Sequence, residues 1–284
     1  DPADYLEPHY KYLNRSGRKQ FSEARERLDG WYEKYIESCL REAERLKNDF
    51  CSADDQQHLS AYTELYTHHL LIENGFDVEC HPVVPGSTNK PEFLARKDGE
   101  RQFYVECRAL IGSPDAVRNE KWKNEILDAI NQINSPDFLI SIEVVKSDNV
   151  NPPRSGRMRE YLQEQVDRLN YGAVNKKFEE SQILPMFTWT SGDWEIVFTA
   201  SPVTEEGRQK RDESSRVVGT YTSGVKWVRL HEQVERAIER KAGKYGVLPL
   251  PYLIVINIIG DSIFFDDRIM MDALFGEERL TITR

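Results

Sequence analysis

A mixed α/β fold, built on one sheet flanked by helices, is what this sequence predicts, and three observations predict it. Apolar residues recur at helical spacing from the N-terminus to Asn74. Short extended runs broken by Pro and Gly follow, from Phe76 to Leu110. Helical stretches then alternate with further strands and hairpins to the C-terminus.

Leu28, Trp31, Tyr35, Cys39 and Leu46, separated by Glu, Lys and Arg, give the lead its helical character. From Gln56 to Asn74 a second helix carries Leu59, Tyr62, Leu65, Tyr66, His69 and Leu70, with Gly75 at the C-cap position. Phe76 to His81 alternates as a strand until Pro82 and Pro85-Gly86 break it. Pro91 to Arg96 and Gln102 to Leu110 read as two strands joined by Lys97-Asp98-Gly99-Glu100, whose Asp-Gly is a hairpin signal. Val117 to Ile133 places Trp122, Ile126, Ile130 and Ile133 on one helical side, and Phe138 to Val145 is a β-branched strand. Met158 to Leu169 is expected helical, Pro185–Thr190 and Trp194–Ala200 form a hairpin, and Glu205 to Ser215 is polar and expected to be mobile. A helix from Trp227 to Tyr245, a buried strand from Tyr252 to Ile258 and a short helix from Asp267 to Phe275 close the chain.

The 284 residues suffice for one large domain or two small ones. The alternation favours a single domain over 1–284: a helical extension over 1–54, a core over 55–145, and strands and helices over 146–284 that complete the sheet. Charged residues make up 30% and the mean hydropathy is −0.63, so a soluble protein is expected. The apolar stretch from Pro249 to Gly260 is too short to span a bilayer, and the charged start does not resemble a leader. Four cysteines, Cys39, Cys51, Cys80 and Cys107, lie far apart without a CxxC pair, which points away from zinc and disulfides and toward a reducing cytoplasm. With 38 basic against 48 acidic residues the net charge is −10, so nucleic acid would have to be met by local clusters or by a site containing cations.

Chemistry concentrates between Glu64 and Arg108. Glu64 stands on a helix, Glu92 opens one strand of the Asp-Gly hairpin, and Glu106 lies in the other, within Phe103-Tyr104-Val105-Glu106-Cys107. A carboxylate in so apolar a strand is costly unless it is paired or binds a cation. Glu92 and Glu106 can converge across the hairpin, and with Glu64 they would offer the hard oxygen donors that suit Mg²⁺. Arg108 shares the Glu106 sheet face by alternation and could meet a phosphate. A buried salt bridge is the plainer account of Glu106, and a solvated helix face that of Glu64. His68, one turn after Glu64, is more simply a core histidine than a ligand. No G-x-S-x-G, G-x-G-x-x-G or P-loop is present.

Pro91-Glu92, the hairpin, Glu106-Cys107-Arg108 and the helical Glu64 together resemble the PD-(D/E)xK nuclease superfamily, over residues 55–145. Glu replaces the usual Asp, and Arg the usual Lys. The resemblance implies a restriction-endonuclease-like mixed sheet flanked by helices, here with an N-terminal helical extension. It further implies metal-dependent cleavage of phosphodiester bonds, of DNA in preference to RNA. Glu92 and Glu106 would bind Mg²⁺ or Mn²⁺, Glu64 would support the metal through water, and Arg108 would contact the scissile phosphate. Lys123, on the helix that follows the strand, is the expected substitute for the missing lysine. Lys121, Arg154, Arg157, Lys241 and Lys244 are the expected nucleic-acid contacts, although cations ending a helix also complement its dipole. The competing expectation is a catalytically degenerate nuclease fold that binds nucleic acid or a protein, and a homodimer is compatible with either.

Overall fold

The computed structural model describes residues 3–112, 114–147, 151–212, 215–223, 230–259, 271 and 273–276. The chain forms two compact units, one joining Glu7–Ser113 to Val228–Arg284 and the other joining Asp1–Leu6 to Pro114–Trp227. Two four-stranded sheets, each flanked by helices, replace the single expected sheet.

The first unit starts with helices α1 (His9–Arg15), α2 (Lys19–Cys39), α3 (Ala43–Phe50) and α4 (Asp55–Glu73). Asp54 caps α4, its carboxylate accepting from the amides of Gln56 at 2.8 Å and Gln57 at 3.3 Å. Gly75, at φ 78°, lets the chain turn away after the helix. Strands β1 (Asp77–Cys80), β2 (Phe93–Lys97) and β3 (Glu100–Leu110) then form an antiparallel meander. Asp98 and Gly99 both take positive φ (54° and 81°), the left-handed pair that a two-residue hairpin turn requires. Phe93, Ala95, Val105 and Cys107 share one face of these strands and pack with Tyr35, Leu46, Ala61 and Leu65 of the helices. Leu94 and Tyr104 occupy the opposite face with Val84.

The second unit contains α5 (Pro114–Asn131), β4 (Phe138–Lys146), α6 (Ser155–Asp167), α7 (Tyr171–Ser181), β5 (Met186–Ser191), β6 (Trp194–Pro202), α8 (Glu205–Lys210) and β7 (Val218–Ser223). Its strands are ordered β5-β6-β4-β7, and only the β4–β7 pair is parallel. Along β6, Trp194, Ile196, Phe198 and Ala200 are buried at every second position, and they meet Trp122, Ile126 and Ile130 of α5 and Met158 and Leu162 of α6. That alternation gives these strands a core of their own, so β5, β6 and β7 join β4 in a second sheet and do not extend the first as expected. The segment expected to be mobile contains α8, whose first turn Thr204 caps by accepting from the Gly207 amide at 3.2 Å. Arg208 fastens it to Asp137 at 2.8 Å.

The chain re-enters the first unit with α9 (Leu230–Ala242) and β8 (Tyr252–Ile258). β8 lies parallel to β3, Tyr104 facing Tyr252 and Leu110 facing Ile258, which gives the order β1-β2-β3-β8. Among the described residues, β8, with its β-branched run, is the one late strand that joins the first sheet. The start expected at Trp227 for the α9 helix, and most of the helix expected from Asp267 to Phe275, fall outside the described residues.

The expectation of four reduced thiols is corrected as well. Cys39, the last residue of α2, forms a disulfide with Cys80, the last of β1, with Cα atoms 5.5 Å apart. The partners are 41 positions apart in the sequence, and only the packing of α2 on the sheet brings them together. Cys51 and Cys107 are free. No described helix is long and apolar enough to cross a membrane.

Candidate functional site

The β2–β3 register pairs Leu94 with Tyr104 and Phe93 with Val105, so one further step sets Glu92 opposite Glu106 on the same face. The two carboxyl groups lie close enough for each to shift the other's titration. Glu92 Oε2 also accepts from the Cys107 amide at 3.1 Å. Glu106 is fully buried.

The buried charge is matched from the far end of the chain. Lys244 Nζ donates to Glu106 Oε1 at 2.8 Å, and Lys241 Nζ donates to the same oxygen. The Tyr245 hydroxyl donates to Glu106 Oε2 and lies 3.1 Å from the Lys90 carbonyl. Lys241 stands in the last turn of α9; Lys244 and Tyr245 follow in the turn that Gly246, at φ 68°, brings to an end. Burial alone would raise the Glu106 pKa. Glu92, both lysines and Tyr245 outweigh it and hold that carboxyl down to about 2. Glu92 is pushed the other way, up to about 8, first by burial and then by neighbouring Glu106 and its charge. At neutral pH the pair therefore holds one negative charge and one shared proton, with Glu92 as the donor. Burial and Glu106 also raise the Tyr245 hydroxyl, which keeps its proton.

Arg108 follows Glu106 by two positions, is half-buried on the same face, and has no ion pair among the described residues. Glu64 is not brought to the pair. Its helix packs on the face bearing Val105 and Cys107. There Glu64 Oε1 accepts from Tyr35 Oη at 2.8 Å and from Arg45 at 2.7 Å. Arg45 extends the network to Asp49 at 3.1 Å and His81 Nε2 at 3.2 Å. Glu64 is thus neither on a solvated face nor beside Glu106.

Lys123 lies in the second unit, 2.6 Å from Glu120 and 5.7 Å from the centre of the Tyr221 ring. The ammonium groups on Glu106 belong instead to Lys241 and Lys244, which the sequence offered as nucleic-acid contacts at a basic helix end. Lys121, Arg154 and Arg157 are exposed in the second unit, without ion pairs among the described residues. His68 is fully buried, with Nε2 2.6 Å from the Ser38 hydroxyl and Nδ1 without a partner. Tyr245, Tyr35 and Arg45 were missed altogether. The one available signal was that Lys241, Lys244 and Tyr245 fall three and four positions apart, on one helical side.

Among the described residues no group of three or more His, Cys, Asp and Glu is arranged to hold a metal ion. What the arrangement offers is a carboxyl pair in contact, charge-balanced by two ammonium groups and steadied by a hydroxyl and a backbone amide. Comparison with family models, with curated proteins and with solved structures finds no match.

Proposed function

We propose that Glu92 and Glu106 form the metal-binding centre of a nuclease that hydrolyses phosphodiester bonds, in DNA rather than RNA, and that their unit is a divergent restriction-endonuclease-like domain. The observation that carries this reading is the contact of two carboxyl groups across the β2–β3 register with two lysines beside them. It is the side-chain set that the sequence resemblance requires, with the lysine supplied from α9 rather than from the strand.

The donor set fits Mg²⁺ or Mn²⁺. Glu92 stays beside Glu106 by keeping a proton, and a divalent cation can replace that proton. Two carboxylates suffice, because Mg²⁺ keeps several waters and takes phosphate oxygens as further ligands. Bound there, the ion would polarise the scissile phosphate and lower the pKa of a water.

The chain's own side chains do the rest. Glu92 and Glu106 hold the cation, and the Cys107 amide fixes Glu92 while Tyr245 fixes Glu106. Lys241 and Lys244, at most a third exposed, can turn from Glu106 to phosphate oxygens once the carboxylate is otherwise neutralised. Arg108, unpaired on the same face, suits a bidentate contact with phosphate. Lys121, Arg154 and Arg157 would add salt-dependent, sequence-independent phosphate contacts. Glu64, held by Tyr35 and Arg45, is not among the groups that would hold the cation.

Purified protein should cut DNA with Mg²⁺ or Mn²⁺ and stop when a chelator is added. Glu106→Ala should abolish turnover, whereas Arg108→Lys should preserve or raise it. Equal turnover by wild type and Glu106→Ala would refute the assignment. A second reading, a catalytically degenerate fold that binds nucleic acid or a protein, is favoured by the complete satisfaction of Glu106 by Lys241, Lys244 and Tyr245. Salt-sensitive DNA binding without cleavage by either ion, on single- and double-stranded substrates, would establish it.

A further inference from the structure

We propose that the Cys39–Cys80 disulfide is a redox-controlled tether that fixes the backbone of Glu92 and so governs the carboxyl pair; the second half rests on the reading of that pair as catalytic. β1 is only four residues long and pairs with β2 alone, so backbone bonds hold its end weakly. Cys80, the last residue of β1, faces Phe93 in the register. The next residue, His81, donates its amide to the Glu92 carbonyl at 2.9 Å. The disulfide is therefore one residue from the backbone contact that positions Glu92, and it ties that point to the end of α2.

His81 itself takes a left-handed backbone conformation, φ 44°, which a residue with a Cβ holds only when its surroundings impose it. Besides the hydrogen bond of its amide to Glu92 and the Glu42 carboxylate 3.7 Å from Nε2, two restraints converge on it. One is the disulfide at Cys80. The other is Arg45, 3.2 Å from the imidazole Nε2 and anchored in turn by buried Glu64. Glu64, absent from the carboxyl pair, thus acts on it at a distance, as a positioning residue through Arg45 and His81. With the disulfide open, the turn keeps only its bond to the Glu92 carbonyl and the side-chain contacts of His81 with Arg45 and Glu42.

Access decides the chemistry of opening. Cys39 is 3% exposed while Cys80 is half-buried, so a small thiolate reaches the Cys80 sulfur first. A thiolate of a low-molecular-weight dithiol attacks that sulfur, the Sγ–Sγ bond breaks, and Cys39 leaves as a thiolate that takes up a proton. The second thiol of the reagent resolves the mixed disulfide and releases Cys80. The reagent ends as a cyclic disulfide, and two electrons pass to the protein.

Protein equilibrated with oxidised glutathione should show two thiols to a thiol reagent in denaturant, Cys51 and Cys107, and four after dithiothreitol treatment. Four thiols in the oxidised sample would overturn the proposal. By amide exchange, the His81 amide should exchange at least tenfold faster after reduction. The Tyr104 amide, bonded to the Pro251 carbonyl at 2.9 Å, should change less than twofold. Cys80→Ser should behave like reduced wild type and ignore the reductant, and Cys51→Ser should behave like wild type. Unchanged His81 exchange in a sample with four thiols would overturn the tether. DNA cleavage should fall at least tenfold on reduction, and equal cleavage in both redox states would overturn the control of the pair. If neither state cleaves while His81 exchange still responds tenfold, the tether stands and the nuclease reading fails.

Discussion

His68 makes the fold of its unit sensitive to acid. It sits in α4 with no exposed surface, its ring 4.9 Å from that of Tyr35 and 5.8 Å from that of Phe93. Nε2 meets the Ser38 hydroxyl, whereas Nδ1 has no acceptor for the extra proton that imidazolium would carry. Burial, and then the neighbouring His69, lower its pKa from the usual 6.5 to about 4. A base whose folded pKa is depressed is bound by protons preferentially in the unfolded chain. Its contribution to stability is intact above pH 6.5 and is lost as the pH falls from there toward 4. At about pH 4.5 the difference between the two pKa values amounts to roughly 2.5 kcal/mol, taking 1.36 kcal/mol per unit. His68→Gln keeps a polar side chain but cannot titrate. Urea titrations at pH 7 and 4.5 should therefore show wild type losing roughly 2.5 kcal/mol more than the variant. Other carboxylates and His58 titrate in both proteins and cancel in the difference. Equal losses in wild type and His68→Gln would refute the reasoning.

Two further outcomes test other parts of the structure. Tyr245→Phe removes a hydroxyl donor from the buried Glu106 carboxylate, and denaturant titration should register a loss of about 1.5–3 kcal/mol, the range for hydrogen bonds to charged groups. Phe198→Ala empties a fully buried ring from the β6 face of the second unit, and a loss of about 3–5 kcal/mol is expected by the same measurement.

The parts legible in the sequence are those set by local geometry. Asp98-Gly99 announced its hairpin because few residue pairs accept two positive φ angles. The turn pairs Lys97 with Glu100, but the alignment of Glu92 with Glu106 needed the one-residue register shift between Ala95 and Arg96, which the turn residues do not announce. Alternation along β6 was equally plain, but it reports only that one face is buried and not which sheet the strand joins. The division into two sheets was for that reason hidden. Lys241 and Lys244 read as nucleic-acid contacts or as complements to a helix dipole. They became counterions because β3 buries Glu106 where α9 ends, a juxtaposition set by tertiary packing alone. Glu64 has the same origin on the opposite face, where Tyr35 and Arg45 from other helices turn a helical carboxylate into a buried one. The Cys39–Cys80 pair needed the packing of α2 on the sheet before its spacing meant anything.

The discontinuity of the first unit also orders its biosynthesis. The strands bearing Glu92 and Glu106 leave the ribosome before the whole of Pro114–Trp227, and α9 and β8 only after it. At about 5–20 residues per second, roughly 7–30 s separate the carboxylates from their lysines and from the strand that shields β3. Through that interval the second unit, contiguous apart from its first six residues, can fold, while Glu106 lacks its counterions and remains hydrated. Burial of that charge is postponed until translation delivers Lys241 and Lys244. The first unit therefore reaches its final form only once α9 and β8 have been made.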